Sequence, residues 1–251
     1  MVLKEIRNQK PIIHCMTNYV VANFQANGLL AVGASPIMAE HFEEMADVSK
    51  ITDALLLNIG TIRDSLCHSM IFAGQLANSL NKPVVLDPVG IGVSSFRQEF
   101  IHALLQKVQF TAIRCNASEL ATLAQIDCIS HGIDAGVIDF SVTKTAMDVA
   151  LKYSTIVCVS GETDYITNGF LLSEIHGGTK KLTEITGTGC LLGALCTAAS
   201  ASSKDVFHSL VHLHEEYKNI ATIAANNCEG IGDFQADLLN QLKYKANEVL
   251  S

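Results

Sequence analysis

Hydrophobic positions in this chain fall into short unbroken runs separated by longer stretches of mixed polarity. The runs at Pro11–Met16, Ala54–Leu57, Pro83–Leu86, Phe110–Arg114 and Ile156–Val159 have the length and composition of strands buried on both faces. Between them, Val20–Leu30, Arg63–Leu80, Ser95–Lys107, Ala117–Leu123 and Phe140–Lys152 have helical length and composition. Strand and helix alternate, which predicts an α/β fold with a mostly parallel central sheet and helices on both faces. An Asn168-Gly169 turn between Tyr165-Ile166-Thr167 and Phe170-Leu171-Leu172 predicts a hairpin. Beyond Gly189 the pattern becomes helical: Cys190–Ser202, Asp205–Asn227 and Asp233–Val249, with Ser203 or Asp205 as N-cap of the second and Gly230 past its end. No proline- or serine-rich linker and no internal repeat divides the chain, so residues 1–251 read as a single domain.

Composition narrows the class. With 49% hydrophobic and 17% charged residues, the chain can bury a substantial core and is not disordered. A formal net charge of −8 argues against nucleic acid or an anionic membrane as the main partner. It leaves room for an anionic small molecule held by a few local donors. The start, Met1-Val2-Leu3-Lys4-Glu5-Ile6-Arg7, lacks an apolar signal core, and the apolar run Leu191–Ala201 is too short to span a bilayer. The expectation is a soluble, cytoplasmic protein. Its eight cysteines, Cys15, Cys67, Cys115, Cys128, Cys158, Cys190, Cys196 and Cys228, form no Cys-x-x-Cys pair and read as reduced thiols, mostly core residues.

In an open α/β sheet, ligands bind beyond the C-terminal ends of the strands. Thr17-Asn18-Tyr19 follows the first run, Asp87-Pro88-Val89-Gly90-Ile91-Gly92 the third, Arg114-Cys115-Asn116-Ala117-Ser118-Glu119 the fourth and Ser160-Gly161-Glu162 the fifth. Each has an ordinary structural reading: Asp87 before proline as a turn initiator, Asn116 with Glu119 as a capping box. Together they put two carboxylates, Asp87 and Glu119, and one guanidinium, Arg114, on one sheet edge. That set suits magnesium and nucleotide phosphates.

The sharpest local signal is Thr186-Gly187-Thr188-Gly189-Cys190, running straight into the apolar helix. Glycines there let backbone approach a ligand, and first-turn N–H groups with the helix dipole form an anion hole. An ordinary capped glycine turn is the competing reading. No Gly-Lys-Ser/Thr follows, so it is not a Walker loop, and it lacks the setting of a dinucleotide fingerprint. Cys190 at the helix start is expected to have a lowered pKa, as a nucleophile or as a weak base beside a substrate hydroxyl. His212 and His214, spaced i,i+2, diverge on a helix and make no metal pair, and His14 reads as a hydrogen-bonded core residue.

These residues resemble hydroxyethylthiazole kinase, a thiamine-salvage family within the ribokinase-like superfamily. The likeness is carried by His14-Cys15-Met16-Thr17-Asn18-Tyr19-Val20-Val21, Asn27-Gly28-Leu29-Leu30, Gly33-Ala34-Ser35-Pro36-Ile37-Met38-Ala39, Asp87-Pro88-Val89-Gly90, Asn116-Ala117-Ser118-Glu119 and Gly187-Thr188-Gly189-Cys190, in the family's order. The resemblance implies a ribokinase-like three-layer fold and a homotrimer with sites between subunits. It implies ATP with magnesium, and 4-methyl-5-(2-hydroxyethyl)thiazole as acceptor. Asn18 and Met38 then look like thiazole contacts, Met38 reaching the neighbouring subunit's site. Gly187 looks like the anion hole and Cys190 the catalytic hydroxyl-side residue. Asp87 and Glu119 look like magnesium-side carboxylates, and Arg114, Asn116 and Ser160 like nucleotide contacts. The chain departs from the family pattern at Cys115 (usually Gly), Ser160 (usually Thr) and Gly230-Ile231-Gly232 (usually Gly-Pro-Gly). Rival readings are a pyrimidine-alcohol kinase, a nicotinamide-hydrate dehydratase, and a non-catalytic nucleotide sensor on the same scaffold.

Overall fold

Period-two alternation decides which helix layer each strand residue meets, and the computed structural model, which describes residues 1–126 and 140–248, shows the result. The first half contains α1 (Val2–Gln9), β1 (Ile12–Met16), α2 (Ala22–Ala31), β2 (Ser35–Ile37), α3 (Met45–Ile51), β3 (Ala54–Asn58), α4 (Asp64–Ser79), β4 (Val84–Asp87), α5 (Ser95–Lys107), β5 (Ala112–Asn116) and α6 (Ala117–Leu123). Then come α7 (Val142–Tyr153), β6 (Ile156–Ser160), β7 (Asp164–Thr167), β8 (Leu172–Ile175), α8 (Thr188–Ser202), α9 (Val206–Asn227) and α10 (Ile231–Asn247). Cys128 and Val249 lie outside the described residues.

All eight strands join one sheet in the order β2-β1-β3-β4-β5-β6-β7-β8. Neighbours from β2 to β6 are parallel, and β6-β7-β8 is antiparallel. On one face Ile13, Leu56, Val85, Ala112 and Cys158 pack with α1, α2, α8, α9 and α10. On the other, Leu57, Leu86, Ile113, Val157 and Val159 meet α3 to α7. Burial on both sides is why these strands read as continuous apolar runs. α8 lies across β1, β3, β4 and β5 beneath α2 and α9, which explains its apolar composition all round. Gly28 lets α2 approach it: a Cβ there would overlap Leu191.

Helices α5 and α6 match the expected bounds residue for residue, started by Ser94 and by the Asn116–Glu119 capping box. Three elements were not anticipated. α1 buries Val2, Leu3 and Ile6, and the Glu216 carboxylate accepts the Val2 and Leu3 N–H groups, each at 3.1 Å. That cap comes from a residue far along the chain, so no local pattern announces it. β2 is a three-residue edge strand containing Pro36, too short to show a period. α3 is a short helix whose buried residues are Met45, Val48 and Ser49.

The hairpin forms at Asn168-Gly169 as expected, but its second strand starts two residues later than Phe170. Thr167 pairs with Leu172, leaving a four-residue connection, Asn168-Gly169-Phe170-Leu171. The Asn168 side chain accepts from the Phe170 and Leu171 N–H groups at 3.0 and 2.8 Å, an Asx turn that holds Phe170 in the loop. Helix starts also moved. α8 begins at Thr188 with Gly187 as N-cap, and α10 at Ile231 with Gly230 as N-cap.

Candidate active site

Alternation places Asn58, Asp87, Arg114 and Ser160, each at or near the C-terminal end of its strand, on the face that carries α8. They touch in series. Asp87 is fully buried; its Oδ2 accepts from Asn58 Nδ2 at 2.8 Å, and its Oδ1 lies 3.4 Å from Arg114 Nη1. The other Arg114 terminal nitrogen donates to the Ser160 hydroxyl. In the opposite direction, Asn58 Oδ1 accepts from Asn18 Nδ2 at 2.9 Å and from the Gly60 N–H at 3.0 Å. Asn18 Nδ2 also lies 3.7 Å from Cys190 Sγ. One line of side chains thus runs Cys190–Asn18–Asn58–Asp87–Arg114–Ser160 across β1, β3, β4, β5 and β6.

The start of α8 closes over this line through glycines. A Cβ on Gly189 would sit 2.5 Å from Arg114 Nη2, and one on Gly193 3.0 Å from Asp87 Oδ2. Gly187 has φ +98° and lies against Val21, where a Cβ would come within 2.6 Å of Cγ1. Tyr217 from α9 donates to the Thr188 carbonyl at 2.9 Å, and Gln25 from α2 to the Cys190 carbonyl at 2.7 Å, pinning the first turn. Its first N–H groups have no intrahelical partner.

Electrostatics follow from burial. Burial raises the Asp87 carboxyl; Arg114 opposes and Glu119 reinforces, leaving it at about 7. Arg114 is itself stabilised as a cation: Asp87 and Glu119 outweigh the cost of burial. The Cys190 thiol is pushed up to about 12, first by burial and then by the Asp87 charge. The expected depressed thiol is therefore corrected: the dipole of α8 does not offset exclusion from water beside a carboxylate.

Asn116 and Glu119 form the capping box in full, Asn116 Oδ1 accepting from the Glu119 N–H at 2.8 Å and Glu119 Oε2 from the Asn116 N–H at 2.9 Å. Glu119 Oε1 accepts the Gly90 N–H at 3.0 Å, so it also ties the loop after β4 to α6. Cys115 points into the opposite core, where burial and Glu119 raise its thiol. Met38 stands apart from the line: it lies beside a cavity of about 140 Å³ with Thr17, Tyr19 and Thr61. His14 is buried, its ring hydrogen-bonded to the Ala39 carbonyl at 2.9 Å, as a core residue should be.

Two residues of the site escaped the sequence reading. Asn58 ends β3, the one strand whose following polar residue was passed over, although the same strand-end rule marks it. Arg97 from α5 donates to the Ile59, Gly60 and Val89 carbonyls at 2.6 to 3.0 Å, clamping the loops after β3 and β4. No local pattern points to Arg97. Three polar atoms near the line, Thr17 Oγ1, Gln25 Oε1 and Arg114 Nε, are buried without a hydrogen-bond partner.

Residues 3–248 match the model of the hydroxyethylthiazole kinase family. Among curated relatives, a hydroxyethylthiazole kinase of Lysinibacillus sphaericus is 47% identical over 248 residues, covering 99% of this chain and 97% of that protein. One from Pasteurella multocida is 42% identical, covering 99% and 95%. Among solved structures, a hydroxyethylthiazole kinase protein from Pyrococcus horikoshii superposes with a TM-score of 0.88 at 32% identity, over 97% of this chain and 91% of that one. A ribokinase-like superfamily protein from Enterococcus faecalis, at 10% identity and TM-score 0.71 over 98% and 95%, shares the fold.

Proposed function

Because the chain belongs to the hydroxyethylthiazole kinase family, we propose that the line from Cys190 to Ser160 is where it phosphorylates its alcohol. The activity is transfer of the γ-phosphoryl of ATP to the hydroxyl of 4-methyl-5-(2-hydroxyethyl)thiazole, a thiamine-salvage step. The observation that carries the placement is the unbroken contact of Asn18 and Cys190, through Asn58, with Asp87 and Arg114 under the α8 N-terminus.

Asn18 and Cys190 are assigned to the acceptor hydroxyl, Gly187 and the first-turn N–H groups to the phosphoryl in transit. Arg114, Ser160 and Asn116 take the nucleotide side. Magnesium fits beside Asp87 and Glu119, whose mutual repulsion adds to the burial of Asp87 and would be relieved by a divalent cation. Among the described residues no group of three His, Cys, Asp or Glu could hold a metal alone, so Asp87 and Glu119 would hold magnesium only together with ligands from the nucleotide or solvent. Held there, magnesium would offset charge on the phosphates. The chain's residues do the rest: Arg114 pairs with phosphate oxygens, and Asn18 holds the alcohol against Cys190 in line for transfer. A thiol at about 12 stays protonated at neutral pH, so Cys190 orients the hydroxyl and supplies little base strength. Phosphoryl transfer through a loose transition state tolerates this, because positioning and charge stabilisation dominate.

The working unit proposed is a cytoplasmic homotrimer of single-domain chains with sites between subunits. Support comes from Tyr19 and Val20, 77% and 60% exposed directly after Asn18, and from Leu30 and Phe42, also exposed. Met38, half-buried against its own core and outside the line, is assigned to a neighbour's site. Among the described residues no helix is long and apolar enough to cross a membrane. The deciding assay follows ATP consumption with hydroxyethylthiazole, hydroxymethylpyrimidine, simple sugars and a nicotinamide hydrate. Turnover confined to the thiazole, and abolished in Asp87→Asn, is expected; preference for another acceptor would overturn the reading.

A further inference from the structure

A buried cationic cluster lies behind the nucleotide side, and nothing in the mechanism above uses it. Lys218, on α9, is only 5% exposed. Its Nζ donates to the carbonyls of Gly161, Glu162 and Gly177 at 3.0, 2.8 and 3.2 Å, and lies 3.2 Å from Asp164 Oδ1. Asp164 in turn accepts the Gly161 N–H at 2.9 Å and pairs with His214, one helical turn before Lys218, at 2.7 Å. Four oxygens from two segments, 161–164 and Gly177, therefore converge on one ammonium. Burying a lysine is costly, and an apolar residue would fill the same space for less, so packing alone does not account for it. A compact point charge with three donors is suited to gathering carbonyls, and its tether keeps it in place at any ionic composition.

The segments it gathers are informative. Gly161 and Glu162 follow directly on Ser160, the hydroxyl partner of Arg114. Gly177 and Gly178, both at positive φ, follow β8, and Thr222, one turn after Lys218, donates to the Gly178 carbonyl at 3.3 Å. We propose that Lys218 is a positioning residue for ATP, a tethered cation that fixes the Ser160-Gly161-Glu162 turn against α9 so that Ser160 and Arg114 meet the nucleotide preassembled. The inference rests on the reading of that turn as a nucleotide contact.

The test compares Lys218→Ala and Lys218→Met with the wild type in steady-state assays, varying ATP and hydroxyethylthiazole separately. Loss of the charge-assisted bonds is expected to raise KM for ATP about tenfold or more, with kcat and the thiazole KM held within about twofold. Ethylammonium, which fits the space left in Lys218→Ala, should lower that KM severalfold and leave the wild type unchanged. Lys218→Met keeps the aliphatic stem, so it reports even where the alanine variant folds poorly. A rise in both KM values together, a fall in kcat alone, or no response to the amine would overturn the proposal. Ser160→Ala separates it from its premise. If Ser160→Ala raises KM for ATP and Lys218→Met does not, the tethered cation is wrong and the turn assignment stands. If neither raises it, both are wrong.

Discussion

A single methyl group tests how closely α8 sits on the strand ends. Gly189→Ala would put its Cβ 2.5 Å from Arg114 Nη2, and Arg114 is held between Asp87 and Ser160 with nowhere to retreat. A guanidinium displaced by an ångström is expected to cost about 100-fold or more in kcat/KM. Circular dichroism should show an intact fold, and a near-normal rate would mean that Arg114 is not required in its observed place. Cys190→Ala probes the opposite limit. With the thiol near 12, its removal is expected to lower kcat by less than about tenfold, below the roughly 100-fold at which general-base assistance begins. A thousandfold loss in single-turnover rate would instead demand a thiolate. The sequence placed Cys190 correctly at the helix start but mistook its acidity. Helix dipoles can be read from order along the chain, whereas burial beside Asp87 depends on a strand a hundred residues earlier.

At the scale of elements, the α2–α8 contact is the one that leaves least room. A Cβ on Gly28 overlaps Leu191, so Gly28→Ala is expected to destabilise by about 1–3 kcal/mol in denaturant unfolding. Leu191→Ala in the same chain should recover part of that loss by opening the space, and strictly additive effects would exclude the contact. Much of this layer was legible. Buried parallel strands announce themselves as apolar runs, and α5 and α6 carry their own caps in Ser94, Asn116 and Glu119. What stayed hidden is held by distant partners: α1 by Glu216, the strand-end loops by Arg97, and the turn after β6 by Lys218. The hairpin loop is two residues longer than the Asn-Gly pair predicts because the Asn168 side chain accepts from two N–H groups ahead of it, a choice that pair alone does not reveal.

For the whole molecule, the His214–Asp164 pair makes stability depend on pH. Burial opposes the imidazolium, but Asp164 and Cys196 outweigh it and raise His214 from 6.5 to about 9. A folded pKa above the unfolded one means the contribution is complete below about 6.5 and is lost as pH climbs through about 9. Melting temperature should therefore fall across that window, and His214→Gln should flatten that part of the profile; an unchanged slope would place the transition elsewhere. The proposed assembly has an equally plain readout, since sedimentation should give three times the mass of one chain. Leu30→Asp is expected to release monomers; a wild-type monomer with full activity would remove the shared site. The line from Cys190 to Ser160 has one more consequence. Its contacts join residues 172, 40, 29, 27 and 46 positions apart, and none is local. The line spans residues 18 to 190, so no fragment lacking either end holds the whole site, and catalysis should be the last property regained on refolding, after helix content and compactness have returned. Enzyme activity would then serve as a clock for the final docking of α8 onto the sheet.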